Sequence, residues 1–519
     1  MSKNSVALPK SLIIFGICIP LALLVGYLLA TPTDLMSFAA IGIVVLLLAI
    51  PLLLRWHYPA LLVCWNANVT VFFLPGQPTL WMLLAGVSLF FTALACIMDK
   101  QIRFQNVRAI TWPLVFLTLV ILVTAKLTGG IGLRSLGGGV YGGKRLVFIL
   151  AAIVGYYAIS SQRIPIEKAA RYTGLFFLSG MTGAVSNLIY LAGPAFYFLF
   201  IFFPVDNAIS QAMEDFSTTG VDVHFGRLPG VTVAGMSVFY FMLSRYGIRG
   251  IMDVRRPWRI LVMLVCFALS LLGGFRSAVI IFALICLAQF YFEGLFRSRL
   301  FLVLVIAFVL GGTGLVAFAT KLPLSVQRSL TILPAIDLDP AARADAAASL
   351  GWRVEMWKIL LPQVREYLWL GKGYALSPSD MYLVEESLRR GLAKDYEMAL
   401  LVGDYHSGPL SILIPFGIAG LLGFLWLMVA SIRLLYRNHR FSDPALQNIN
   451  TFLLSYFVAR AVFYFVGFGG FNSDLALFLG VVALSIALNG GVRDWTSLPA
   501  ASTGNSTGKD DSVQPLTLR

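Results

Sequence analysis

The feature that most limits what this chain can become is a succession of apolar stretches, most of about 17 to 24 residues, separated by short polar or charged segments. As an α-helix, each is long enough to cross roughly 30 Å of hydrocarbon. Inside hydrocarbon every backbone N–H and C=O needs an internal partner, which leaves helices and closed β-barrels as spanning structures. The alternating patterns of about ten residues that mark a barrel are absent. The chain is therefore expected to be an all-α polytopic membrane protein with about 14 transmembrane helices, within a range of 12–14. They are placed at 11–30, 35–54, 59–75, 79–98, 110–126, 145–161, 172–203, 231–248, 258–274, 277–296, 300–320, 407–431, 448–468 and 474–490. With 58% apolar and only 12% charged residues, the sequence lies well outside the range of soluble domains.

Charge then orients the spans. With the N-terminus cytoplasmic, the inward loops include "DKQIRFQNVR", "SQRIPIEKAAR", "SRYGIRGIMDVRRPWR", "FRSR" and "RLLYRNHR", all rich in Arg and Lys as the positive-inside tendency expects. The opening "MSKNSVALPKSLIIFGICIPLALLVGYLLA" has the Lys-bearing head of a signal peptide, but its long apolar run reads as an uncleaved first helix. Segment 172–203 is too long for one ordinary span, and two crossings would turn the Arg-rich loop at 245–259 outward. One helix and a partial helix divided at Gly193-Pro194 keep the parity, with both termini cytoplasmic.

Four regions follow: transmembrane helices over 1–320, a large outward loop at 321–406, further transmembrane helices over 407–490, and a Ser/Thr/Gly-rich tail at 491–519 expected to be disordered. The outward loop carries 11 of the 25 acidic residues and 10 basic ones. Within it, "SLGWRVEMWKILLPQVREYLWL" has apolar residues at helical spacing and reads as an amphipathic helix with Ser349 as N-cap. The net charge of +14 is scattered through short loops, as topology requires, so nucleic acid is not an expected partner. All five cysteines lie in apolar stretches and none is paired at metal-ligand spacing, which fits small buried residues.

Few residues are placed to do chemistry. Arg460 stands about twelve residues into its span in "FLLSYFVARAVFYFVGF", too deep to snorkel easily, and is read as an anion-binding guanidinium facing a cavity. Arg276 follows the break "LLGGF" at the start of a helix, where the first N–H groups and a guanidinium can face one anion. Arg353 in "GWRVEMW" has Trp357 one turn later, while Arg227 and Lys144-Arg145 are further outward cations. His406, at the mouth of the helix that opens "GPLSILIPFG", has an ordinary pKa suited to a general base at neutral pH. His57 and His439 fall inward beside arginines, and His224 sits in an outward loop without a basic cluster. The D-x-D of Asp337 and Asp339 is the spacing of a divalent site but more simply a solvated pair. The Gly-rich 129–143 lacks the context of a nucleotide loop.

Taken in order, "GGFRSAVIIFALICL", "GWRVEMWKILLPQVREYLWLGKGYAL" and "DYHSGPLSILIPFGIAGLLGFLWLM" resemble the bacterial O-antigen ligase and O-antigen polymerase superfamily over roughly 272–430. The resembling pattern is an Arg opening a helix, an Arg-x-x-x-Trp helix leading to Gly-x-Gly-Tyr in an outer loop, and a His before a helix with Gly-x-x-Gly. Phe275 departs from a usual small residue, Ser407 stands where Asn is common, and no Pro precedes Gly371. The resemblance implies a GT-C-like inner-membrane glycosyltransferase with a periplasmic site and no cofactor. It would move a glycan from an undecaprenyl-pyrophosphate carrier to an acceptor hydroxyl, among membrane lipids and other polysaccharide assembly proteins. It also implies that Arg276 and Arg353 hold the pyrophosphate and that His406 is the base, with inversion at the anomeric carbon. Arg460 and Arg227 join the anion site on position and charge. The alternatives are a transporter or flippase of lipid-linked oligosaccharide, which predicts internal repeats and polar residues spread through many spans, and a scaffold of an assembly complex.

Overall fold

Apolar runs divided by charged or glycine-rich turns become helices that pass up and down beside one another. The computed structural model describes residues 55–493 apart from 73, 75, 99–104, 132–141, 206–226, 334–335 and 395, together with a few positions before residue 55. The expected spans at 11–30 and 35–54, the tail beyond residue 493, His224 and most of the Gly-rich loop lie outside the described residues.

We number the α-helices in chain order. The first group is α1 (Leu80–Met98), α2 (Arg108–Leu127), α3 (Gly143–Ser160), α4 (Ile166–Leu178), α5 (Gly183–Ala192) and α6 (Pro229–Ile251). Then come α7 (Trp258–Leu271), α8 (Arg276–Phe292), α9 (Arg299–Phe318), α10 (Leu324–Leu330), α11 (Pro340–Tyr367), α12 (Pro378–Arg389) and α13 (Tyr396–Val402). The last are α14 (Gly408–Arg440), α15 (Gln447–Val466) and α16 (Phe471–Asn489). Among the described residues there is no strand, only an isolated bridge between Thr70 and Thr79, and eight helices are long and apolar enough to cross a membrane. Shorter apolar helices, including α7 and α8, stand at further expected positions. The full count of fourteen is thus supported only in part.

Two spans differ from expectation in an informative way. Residues 59–75 form no single helix: helical backbone covers 55–64, and none of the described residues from 65 to 79 is helical. Its polar groups are met by the bundle, with Asn66 Nδ2 donating to the Phe176 carbonyl (2.8 Å), the Asn68 N–H to Thr182 Oγ1 (2.8 Å) and the Thr70 N–H to the Phe202 carbonyl (2.8 Å). Irregular backbone at this depth is tolerated because protein surrounds it. In the 172–203 region, helix already begins at Ile166 and continues through a 3-10 turn at Ser179–Thr182 to Ala192. Gly193 then breaks it at φ +94°, and Pro194–Ile201 forms a separate 3-10 segment, as a helix followed by a partial helix requires.

The innermost element is α16, which packs on α3, α14 and α15. Trp65 wedges between α3 and α16 where both carry glycine: a Cβ on Gly155 or Gly480 would lie 2.3 Å and 2.2 Å from the indole. Outer helices expose large apolar side chains, among them Phe90, Ile97, Leu119, Leu261 and Leu310, as lipid-facing surfaces do. One end of the bundle carries Arg163, Arg249, Arg255, Arg297 and Arg437. The opposite end carries the segment from α10 to α13.

That segment is built on two small cores. Leu271, Ala319, Val326, Leu330, Ile336 and Leu338 seat α10 on α7. Met356 and Leu360 of α11 pack with Tyr396, Tyr405 and Ile414, which seats α11 against the start of α14. Full burial of each such side chain from water stabilises by roughly 1.5–3 kcal/mol. The expected N-cap Ser349 is an interior residue of α11. The helix instead starts nine residues earlier at Pro340, where Asp339 Oδ1 accepts the Ala341 N–H (2.8 Å) and an alanine-rich run of high helix propensity follows.

Candidate functional site

The site starts at the turn into α8. Leu271–Phe275 reverses direction through Gly273 and Gly274, with the Gly273 N–H donated to Thr232 Oγ1 of α6 (2.8 Å) and Gly274 at φ +68°. The next residue but one, Arg276, begins α8 and donates from Nη2 to the Ala346 carbonyl of α11 (3.1 Å). One residue away on α11, Asp345 Oδ2 accepts Nη2 of Arg227 (2.6 Å) and Nε of Arg328 on α10. Arg328 also donates from Nη1 to the Gly274 carbonyl, so it fixes the turn that aims Arg276. Arginines distant in sequence are thus gathered round one carboxylate. Burial, then Arg328, lowers the Arg227 pKa, and Asp345 opposes both.

Two turns further along α11, Arg353 places its guanidinium 5.7 Å from the Phe468 ring centre, in the α15–α16 turn. Burial, then Arg276 and Arg328, lowers its pKa against the opposing Asp404. His406 lies beside it, its ring 4.9 Å from Trp352 in an edge contact and 5.0 Å from Phe468. The loop that presents the imidazole is held by Trp357, whose indole Nε1 donates to the Tyr405 carbonyl (2.8 Å). The Arg-x-x-x-Trp spacing therefore has two roles one turn apart: Arg353 joins the cluster of guanidiniums and Trp357 fixes the backbone of the histidine.

His406 is 19% exposed in its side chain, with Nε2 3.9 Å from Asp404 Oδ2. Burial holds its pKa below the ordinary value, Asp404 raises it, and Arg353 adds to the lowering. Its Nδ1 and the Nε of Arg353 are both buried without a hydrogen-bond partner. A buried polar atom without a partner is costly, and here the two lie side by side. His406 also has φ +49°, a left-handed backbone that few non-glycine residues adopt. Around the site, the guanidiniums of Arg227, Arg276, Arg328 and Arg353 outnumber the carboxylates of Asp345 and Asp404.

The Gly-x-Gly-Tyr stretch has a structural task. Helix α14 breaks at Gly417 (φ 64°, ψ −166°), and residues 368–373 fill the break. The N–H groups of Lys372 and Gly373 donate to the carbonyls of Ile414 (2.7 Å) and Pro415 (2.9 Å), and the Ile418 N–H donates to the Leu368 carbonyl (2.7 Å). Next to this plug, Arg145 lies over the Tyr374 ring at 5.5 Å. Burial pushes the nearby Tyr405 hydroxyl up to about 12, which keeps it protonated.

Residues 260–425 match the O-antigen ligase family. The match runs from α7 through the first half of α14, so it contains Arg276, Arg328, Asp345, Arg353, Asp404 and His406. No curated protein matches the chain. The O-antigen ligase match and the helical bundle together describe a membrane protein of glycosyltransferase-like function in polysaccharide assembly.

The structure brings Arg227, Arg276, Arg353 and His406 to one end of the bundle. Arg460 lies deeper on α15, with Tyr456, Tyr240 and Asp474 as its electrostatic neighbours. The two histidines expected to face inward are tied to neighbouring helices: His57 Nδ1 meets Ser88 (2.9 Å) and His439 Nδ1 meets Thr451 (3.1 Å). Asp337 pairs with Arg343 and Asp339 caps α11, while among the described residues no group of three His, Cys, Asp or Glu is gathered for a metal. Sequence reasoning missed Arg328, Asp345 and Asp404. Asp345 had one visible signal, a lone acid inside the alanine-rich run. The four described cysteines, Cys64, Cys96, Cys266 and Cys286, are free, and Cys18 lies outside the described residues.

Proposed function

We propose that this protein is an inner-membrane glycan transferase, moving a glycan from an undecaprenyl-pyrophosphate carrier to an acceptor hydroxyl in O-antigen or exopolysaccharide assembly. The observation that carries the reading is the convergence of four guanidiniums with His406, three of them (Arg276, Arg328 and Arg353) inside the O-antigen ligase match together with the histidine. A pyrophosphate diester bears two negative charges, and guanidiniums outnumber carboxylates in the cluster. Forked guanidiniums bind such oxygens in pairs and stabilise the charge that grows as the sugar bond breaks. In this reaction His406 takes the acceptor proton, the acceptor oxygen bonds to the anomeric carbon, and the electron pair of the old bond leaves on the pyrophosphate, inverting the centre. The site would face the periplasm, because the opposite end has the cation-rich turns of a cytoplasmic face. Arginines supply the charge stabilisation that a metal gives elsewhere, so transfer is expected to persist with a chelator present.

The test is transfer by the purified protein from a defined lipid-pyrophosphate glycan to candidate acceptors, in chelator. Arg276→Ala and Arg353→Ala are each expected to lower transfer by about a hundredfold, the scale for removing one donor to developing charge. Full activity in both would remove the mechanism. Passage of intact lipid-linked glycan across the bilayer without glycosidic chemistry would instead establish a flippase.

The rate should also carry the signature of the base. A general base acts when neutral, and burial lowers the pKa of His406, so activity should hold as pH falls to about 6.5 and decline only below it. The same shift has a stability consequence. Below about pH 6.5 the unfolded chain binds this proton more readily than the folded one, so stability decreases there. Activity lost already between pH 8 and 7 would exclude His406 as the base.

A further inference from the structure

The histidine of this chain lacks the asparagine that commonly follows it in the resembling pattern. Ser407 is there instead, and its side chain makes no capping bond to α14. The structure supplies a different neighbour. We propose that Asp404 is the positioning residue of His406, its carboxylate holding the proton on Nε2 and leaving Nδ1 as the basic nitrogen. This rests on the transfer reaction proposed above.

The loop is shaped to make that pairing. Gly403 at φ +77° ends α13, the Asp404 N–H donates to the Ala399 carbonyl (2.8 Å), and Trp357 grips the Tyr405 carbonyl. His406 then takes its left-handed backbone, and the carboxylate two residues earlier comes to 3.9 Å from Nε2. That is an electrostatic distance and longer than a hydrogen bond, as catalytic contacts tend to be before substrate is bound. The ring cannot turn away easily, because Trp352 and Phe468 pack on it. The charged groups facing it are Asp404 from its own loop and Arg353 from α11; the α15–α16 turn contributes the uncharged Phe468. Of the two ring nitrogens, Nδ1 is the buried one without a partner, so its lone pair is uncommitted.

The chemical role follows from charge. As the acceptor proton moves to Nδ1, the imidazole becomes a cation beside the Arg353 guanidinium, which opposes it. Asp404 offsets this repulsion on the far nitrogen and fixes the tautomer, without taking the proton itself. The bond from the acceptor oxygen to the anomeric carbon forms as the pyrophosphate leaves with its electron pair, so the step balances with no other reactant. The carboxylate is 46% exposed in its side chain, so its influence is smaller than that of a fully enclosed one.

Asp404→Asn tests this in two independent ways. In full-length protein carrying labelled histidine, the His406 ring titration is assigned by its absence in His406→Asn. Its midpoint is expected to fall in Asp404→Asn, and an unmoved midpoint would overturn the pairing. In transfer assays kcat is expected to drop roughly tenfold to a hundredfold, with the donor KM nearly unchanged and the acid limb moved to lower pH. Asp404→Glu should recover part of the rate. In a His406→Asn background the second substitution should cost nothing further, whereas an additive loss would show that Asp404 acts elsewhere and sink the proposal. If the unaltered protein transfers no glycan from any lipid-linked donor, the transferase reading fails, and the ring titration still decides whether Asp404 and His406 are paired.

Discussion

Replacing His406 with asparagine is expected to lower glycan transfer by roughly 10²–10⁴-fold, the range spanned by general acid–base assistance. Asparagine is the informative substitution for a backbone reason. At φ +49° most side chains are strained, and asparagine is among the few that occupy this region readily. It removes the basic nitrogen while sparing the loop. Alanine at the same position would mix loss of the base with strain at the mouth of α14. The measurement is single-turnover transfer with donor prebound, alongside thermal unfolding in detergent. A large fall in rate with an unchanged unfolding midpoint assigns the loss to chemistry. If the asparagine variant keeps more than about a tenth of the activity, His406 is not the base.

The second large effect concerns stability. Gly371→Ala is expected to destabilise the protein by about 3 kcal/mol or more, from backbone strain together with either a clash or the bonds lost in relieving it. A left-handed backbone, here φ +85°, costs an alanine about 1–2 kcal/mol. The new Cβ would stand 2.2 Å from the Pro415 carbonyl oxygen and 2.5 Å from its carbon, and these are backbone atoms of a packed helix that cannot swing aside. Moving the plug to relieve that contact gives up the bonds from Lys372 and Gly373, worth about 0.5–1.5 kcal/mol each, and exposes broken helix. Gly351→Ala is the control: it lies inside α11 with nothing within 4 Å of the new carbon, and should be neutral or stabilising by up to about 1 kcal/mol. Equal unfolding midpoints for the two variants would show that the plug does not hold α14.

Which parts of this architecture the amino-acid sequence disclosed depends on the range of the interactions involved. Run length and charge placed most helices, because crossing hydrocarbon is a one-dimensional constraint that each stretch meets alone. The end of helix at Cys64 was hidden for the same reason: the run that follows is apolar enough for a helix, and only the partners of Asn66, Asn68 and Thr70, namely Phe176, Thr182 and Phe202 far along the chain, show where its polar groups go. The start of α11 was misplaced at Ser349 because a good N-cap residue draws the eye, whereas the alanine run before it favours helix throughout. Arg276 stood out as a cation where topology did not call for one, whereas Arg353 and His406 were singled out mainly by the resemblance of their motifs. Arg328 and Asp345 were not, since each is ordinary until α6, α8, α10 and α11 meet. Asp404 was hidden only by loop geometry, two residues from the histidine it faces.

The filled break in α14 has a further consequence for how such a protein can vary. The excursion through Ala375, α12 and Lys394 leaves from a plug anchored on Ile414 and Pro415 and returns through α13 to a loop gripped by Trp357. The plug is tied to α14 and the returning loop to α11, and near the return Lys394 pairs with Glu355 of α11 (3.0 Å), so the stretch that can change in length is the one from Ala375 to Gly391. Its helix α12 buries no residue and packs only on α13 among its principal neighbours. Under the proposed function that stretch forms a rim beside the candidate site, where a change of acceptor could be accommodated without altering Arg353 or His406.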